Sequence, residues 1–192
     1  MDLSVGRILI ARDLISARVA EVGRQLSADL ERLMGEADDS ARIVMVPILT
    51  GAIVFAADLI RHLPQKMSIR PVTISSYPGA ATTSQGVNIR GELPTDLRGS
   101  HVIIVDDILD SGRTLGLLRR MIAAQDPASL RIAVLLRKHK VAGRDEEVRA
   151  DYACFDIGDE FVVGYGLDYD GYFRNLPEVR AMVEVTSEQR GA

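Results

Sequence analysis

Residues 101–114 read HVIIVDDILDSGRT. Four apolar residues, Val102 to Val105, run into two adjacent acids, Asp106 and Asp107. A third acid, Asp110, opens a short run of small and polar residues. An unbroken apolar run of this kind suits a strand covered on both faces. In open α/β sheets, ligands bind at the carboxyl ends of such strands. Gly112 permits a tight turn, Ser111 and Thr114 supply hydroxyls, and Thr114 is the expected N-cap of the helix that follows. The free N–H groups of the turn and the positive end of the helix dipole make a seat for a phosphate. Paired carboxylates beside that seat would repel an anion unless they grip something else, such as sugar hydroxyls or a divalent cation. The local chemistry therefore points to a phosphorylated sugar with a hard metal. Mg²⁺ is favoured because it is typically held by few carboxylates plus substrate oxygens. Neither G-x-x-x-x-G-K-[ST] nor G-x-G-x-x-G is present as a competing phosphate motif.

The flanking sequence repeats the alternation of strand and helix. Apolar residues at Leu14, Ile15, Val19, Val22, Leu26, Leu30 and Leu33 have helical spacing across residues 10–34. RIVMV reads as a buried strand, GAIVFAADLIRHL as a helix ending before Pro64, and IRPVTISSY as the next strand. After the opening stretch come TLGLLRRMIAA (helix) and LRIAVLL, DYACFDIG and FVVGYGL (strands). The expected fold is α/β, a mainly parallel sheet flanked by helices, in a single domain spanning 1–192. A small hood is expected from the N-terminal segment and the residues after about 140. Residues 76–100 are rich in Gly, Pro and small polar side chains and read as a long flexible lid loop.

Composition narrows the classes. The chain has 192 residues, 47% of them hydrophobic, as in a folded globular protein. Twenty-three basic against 27 acidic side chains leave a net charge of −4, which argues against nucleic acid as the main partner. The start, MDLSVGRILIARDL, lacks a basic leader with a sustained apolar run. No apolar stretch is long enough to span a bilayer. A cytoplasmic location with no membrane partner is expected. The one cysteine, Cys154, reads as a small buried hydrophobe. His62 suits a helix end, His101 is expected to face solvent, and neither is given a catalytic role.

VIIVDDILDSGRT resembles the signature of type I phosphoribosyltransferases, which bind 5-phosphoribosyl 1-pyrophosphate (PRPP). VPILTGAIVFAADL, SSY, LLRKHK and DEFVVGYGLDYDGYFRNLPEV extend the resemblance, in order, to the branch that takes hypoxanthine and guanine. The resemblance implies transfer of the phosphoribosyl group from PRPP to N9 of a 6-oxopurine, with Mg²⁺. By the same resemblance Asp106 and Asp107 hold the ribose hydroxyls and Asp110 is the general base at purine N7. Asp110, Ser111, Gly112, Arg113 and Thr114 hold the 5′-phosphate. Leu49, Thr50 and Gly51, with Arg174, face pyrophosphate; the family often carries a non-proline cis peptide here, which would fall between Leu49 and Thr50. Lys138 donates to the purine O6, Phe161 and Val162 stack on the base and meet its edge, and Asp168 binds Mg²⁺ through water. The metal set is then Asp106, Asp107 and Asp168, and Ser76 and Tyr77 belong to the lid. Thr50 stands where many relatives have lysine. A homodimer or homotetramer is implied, with PRPP and a 6-oxopurine as small-molecule partners. The alternative is a PRPP-sensing regulatory nucleic-acid-binding protein of the same fold.

Overall fold

The computed structural model describes residues 3–35, 42–76, 87–90, 93–139 and 148–184. Strands β2 (Ile43–Leu49), β3 (Met67–Ile69), β4 (Val72–Ser76), β5 (Val87–Arg90), β6 (His101–Leu109), β7 (Ser129–Lys138) and β8 (Tyr152–Ile157) form one sheet. Its order is β5-β4-β2-β6-β7-β8, with β3 also paired to β2. All pairs are parallel except β4 with β5. A second sheet of three strands, β1 (Leu3–Ile10), β10 (Val179–Glu184) and β9 (Val162–Val163), is antiparallel.

The apolar run of β6 is covered on both faces. Ile103 and Val105 join one core with Phe55, Leu26 and Ile15, while Val102 and Ile104 join another with Leu115, Leu118 and Leu97. Alternate residues feed opposite cores, as the period of two requires. Helix α1 (Arg12–Met34) turns Ile15, Val19, Val22, Leu26 and Leu30 inward, but Leu14 and Leu33 remain exposed, so its buried stripe is narrower than the spacing suggests. Arg18 of α1 donates to the carbonyls of Cys154 and Ala153 on β8, at 2.9 and 3.2 Å. Helix α2 (Ile53–Leu59) continues as a 3-10 turn, Ile60–His62, and α3 (Arg113–Ala123) crosses from β6 to β7.

Four expectations need correction. β8 belongs to the large sheet, so the hood starts after Ile157 rather than near residue 140; its partner strands are β1, β9 and β10. The segment expected to be FVVGYGL strand is strand only at Val162–Val163, because positive φ at Gly164, Tyr165 and Gly166 turns the backbone away. His101 is buried, its Nδ1 2.9 Å from Ser129 Oγ, since β6 is flanked at that point by both β2 and β7. The last part of the expected lid, residues 93–100, is packed. Leu97 is fully buried, worth ~2 kcal/mol as a leucine side chain. Arg42 reaches Asp96 at 2.9 Å, Arg70 donates to the Thr95 carbonyl at 2.8 Å, and Gln125 to that of Pro94 at 2.9 Å. Residues 77–86, Tyr77 among them, lie outside the described residues, and Ser76 is placed only as the last residue of β4.

Candidate active site

The chain runs from β2 outward to β3 and β4, then returns to place β6 on the other side of β2. Strand order therefore reverses between β2 and β6, where open α/β sheets form a ligand crevice. Pairing of β2 with β6 ends at Pro47 and Val105, and the next two residues of β6 are Asp106 and Asp107. On the other edge β6 stays paired to β7 as far as Leu109. The acids thus lie inside the last part of the strand, held rigidly from one side and open on the other. A cavity of about 390 Å³ fills the gap. Its walls include Leu49, Thr50, Gly51, Asp106, Asp107, Asp110, the Ser111–Thr114 turn, Asp168 and Arg174. Residues from three distant parts of the chain that were read as one site are brought together.

The turn after β6 is built around Gly112, whose φ of 80° is left-handed and favours glycine. Gly112, not Thr114, occupies the N-cap position, and no side chain caps the helix there. Thr114 is already inside the first turn of α3. The residues of this helix start line the cavity, and the N–H groups of a first helical turn have no partner within the helix, which suits an anion.

Asp106 and Asp107 have different surroundings. Asp106 is 7% exposed, and its Oδ1 accepts the Asp107 backbone N–H at 3.0 Å. Burial, and then the neighbouring charge of Asp107, push its carboxyl well above the usual carboxylate range. Burial also raises Asp107, but hydrogen bonds from Asp106 and the Ile108 N–H and the charge of Arg174 oppose the rise. Arg174 is aimed by Asp168 at 2.6 Å and by the Gly166 carbonyl at 2.6 Å. Asp168 in turn accepts the Gly171 N–H at 2.7 Å.

On the β2 side, the Leu49–Thr50 peptide is cis. A Cβ on Gly51 would collide with the Asp107 carboxylate, and a Cβ on Gly166 with the Gly51 carbonyl. Gly166 also has a φ of 103°. The Asp107 side chain of β6 therefore abuts the β2 loop, and the backbone of that loop abuts the Gly164–Gly166 turn. Tyr165 anchors that turn by donating to Asp58 of α2 at 2.6 Å.

Lys138, the last residue of β7, lies 3.6 Å from Asp110 but does not itself line the cavity. Nor do Phe161 and Val162: Val162 is buried, and Phe161 is exposed with its ring edge-on to Tyr169 at 5.7 Å. Lys138 and Asp110 mark a shoulder at the edge of the cavity. Asp159, 3.4 Å from Lys138, was not anticipated, and a lone acid in GDEF carries no signal of its own. The G-Y-G spacing is the only local signal for Tyr165 and Gly166, and their contacts needed the fold. Cys154 is buried, and desolvation pushes its thiol up to about 12, so it stays an inert neutral group.

Residues 19–170 match the family model described as phosphoribosyl transferase domain. A hypoxanthine-guanine phosphoribosyltransferase of Streptococcus pneumoniae is 37% identical over 184 residues, covering 96% of this chain and 97% of that protein. One from Mycobacterium tuberculosis is 40% identical over 170 residues, 88% of this chain and 82% of that protein. The crystal structure of a Bacillus anthracis hypoxanthine-guanine phosphoribosyltransferase, with a HEPES molecule in its active site, superposes with a TM-score of 0.80 at 32% identity, covering 95% of this chain and 100% of that one.

Proposed function

The chain belongs to the phosphoribosyl transferase domain family, and on that premise we propose that it transfers the 5-phosphoribosyl group of PRPP to N9 of a 6-oxopurine, hypoxanthine or guanine, releasing pyrophosphate. The observation that carries this reading is one juxtaposition. A phosphate-seating turn and an adjacent acid pair share a cavity at the strand-order reversal, and Lys138 stands 3.6 Å from Asp110 beside it. The turn from Asp110 to Thr114 holds the 5′-phosphate through backbone N–H groups. Asp106 and Asp107 take the ribose hydroxyls. The Leu49–Gly51 loop and Arg174 face the pyrophosphate. On the shoulder, Phe161 covers the base, Val162 meets its edge, and Lys138 donates to O6.

The chemistry follows from these positions. Asp110 accepts the proton from N7, which frees the N9 lone pair to attack C1 of the sugar. The C1–oxygen bond breaks as the new bond forms, and its electron pair leaves with pyrophosphate. An ammonium at O6 favours an oxo over an amino group, because a mismatched donor would be left without an acceptor.

Mg²⁺ fits the donor set. Asp106 and Asp107, with Asp168 through water, would hold it by oxygen alone. Among the described residues no three acidic, histidine or cysteine side chains close a cage, which leaves positions for substrate and water oxygens. Bound there, the ion would stabilise negative charge on the departing pyrophosphate. The reading includes Ser76 and Tyr77 as part of a lid, a cytoplasmic location, and a homodimer or homotetramer. None of the helices described is long and apolar enough to cross a membrane.

The test is PRPP-dependent nucleotide formation with hypoxanthine, guanine, xanthine, adenine and uracil in parallel. Turnover with hypoxanthine or guanine and little with adenine or uracil is expected. No turnover with any purine, alongside tight and specific RNA binding, would move the protein to the regulatory class.

A further inference from the structure

We infer that Asp159 is a positioning residue for the purine site: its carboxylate holds the Lys138 ammonium in place while Asp110 serves the base. The inference rests on the roles proposed above for Lys138 and Asp110. Lys138 has a side chain only 11% exposed, and its Nζ lies between two carboxylates, 3.4 Å from Asp159 Oδ1 and 3.6 Å from Asp110 Oδ2. The two acids differ in what they can offer. Asp110 lines the cavity and takes a proton during the reaction, which removes its charge. A nearly buried ammonium left without a counter-ion is costly. Asp159 does not line the cavity and exchanges no proton with the base, so the charge it presents to Lys138 persists through the step.

The backbone that carries Asp159 is fixed at both ends. It belongs to the link between β8, ending at Ile157, and β9, starting at Val162. The next residue, Glu160, accepts a hydrogen bond from Arg7 of β1 at 3.2 Å. Phe161 follows, and its carbonyl accepts the Met182 N–H at 2.8 Å. The same short link therefore carries the base-covering ring and the counter-ion of the base-reading lysine. Without Asp159 the ammonium has only Asp110 to pair with. It is drawn toward that carboxylate and away from the purine oxygen, so recognition of the base suffers while the sugar phosphate site does not.

The experiment is steady-state kinetics with hypoxanthine and PRPP varied separately, on wild type, Asp159→Asn and Asp159→Glu. In Asp159→Asn the KM for hypoxanthine should rise roughly three- to tenfold, between the effect of an exposed pair and that of a buried hydrogen bond to charge. The KM for PRPP should not change, and Asp159→Glu should recover most of the loss. Asp159 is 84% exposed, so thermal midpoints of all three proteins should coincide. An unchanged KM for hypoxanthine in Asp159→Asn, equal increases for both substrates, or a glutamate variant no better than asparagine would each overturn the inference. Wild type that forms no nucleotide from hypoxanthine or guanine overturns the functional reading as well. An active wild type with an indifferent Asp159→Asn overturns the inference alone.

Discussion

Two loops face each other across the crevice, and they solve the same problem in opposite ways. The turn after β6 is self-contained. Its shape comes from a single left-handed glycine, Gly112, and its donors from the start of the helix that immediately follows. The loop after β2 is shaped by its neighbours. Gly51 is pressed on one side by the Asp107 carboxylate and on the other by Gly166, and the helix it leads into, α2, spans only seven residues. One seat is thus a local object and the other a tertiary one. A local seat should lose chemistry when changed but keep its geometry; a tertiary seat should lose geometry that propagates to residues far away in the chain.

The largest expected effect tests the local side. Asp110→Asn removes a proton acceptor without adding bulk, so turnover should fall by ~10²–10⁴-fold while PRPP binding, measured by calorimetry, survives. If that variant turned over at the wild-type rate, the general base would have to be sought elsewhere. Next comes Gly51→Ala. The added methyl would displace the Asp107 carboxylate, and a shift of about an ångström can cost about a hundredfold, here in kcat/KM for PRPP. A neutral result would show that the second seat is as independent as the first.

A third change acts on stability. Burial raises the Asp106 carboxyl, so the folded chain binds that proton more tightly than the unfolded chain. Stability from this group is therefore present at low pH and lost as pH rises from the ordinary carboxylate value, about 4, through the raised one. Asp106→Asn should raise the Tm of the ligand-free protein at neutral pH, by roughly 2–4 °C for each kcal/mol relieved, and the gain should vanish as pH approaches about 4. A gain that grew on acidification would contradict the assignment. The smallest effect is expected at Thr50. If the β2 loop works through its backbone, Thr50→Lys should change the KM for PRPP by less than about threefold, the scale of an exposed charge. A larger gain in affinity would mean that the loop also needs a side-chain charge.

The contrast also explains what the sequence could reveal. The β6 turn was legible because every residue that makes it lies between Val102 and Thr114. β2, β6 and β7 were legible for the same reason, since each contains a continuous apolar run, whereas the short β3 was not read as a strand. Residues 3–10 gave no such signal. β1 pairs with β10 across the whole chain, with register irregularities between Val5 and Ile8 and between Ile8 and Ile10 that erase the alternation a strand normally shows. The anchoring of residues 93–100 was hidden because its partners, Arg42, Arg70 and Gln125, come from three separate connecting segments. The three acids read as a metal set all line the cavity. Asp168 shares the cavity with the two acids, yet its nearest cationic partner is Arg174, to which it is ion-paired.

The abutment of Gly51 and Gly166 has a bearing on how such proteins could be recombined. Gly166 tolerates no side chain because a Cβ there would meet the Gly51 carbonyl, so a spacing set on one side must be matched on the other. Grafting the segment after β2 from a homologue, and keeping the native Gly164–Gly166 bend, would join two halves shaped for different clearances. The module that can be swapped is the pair, although its members are more than a hundred positions apart along the polypeptide.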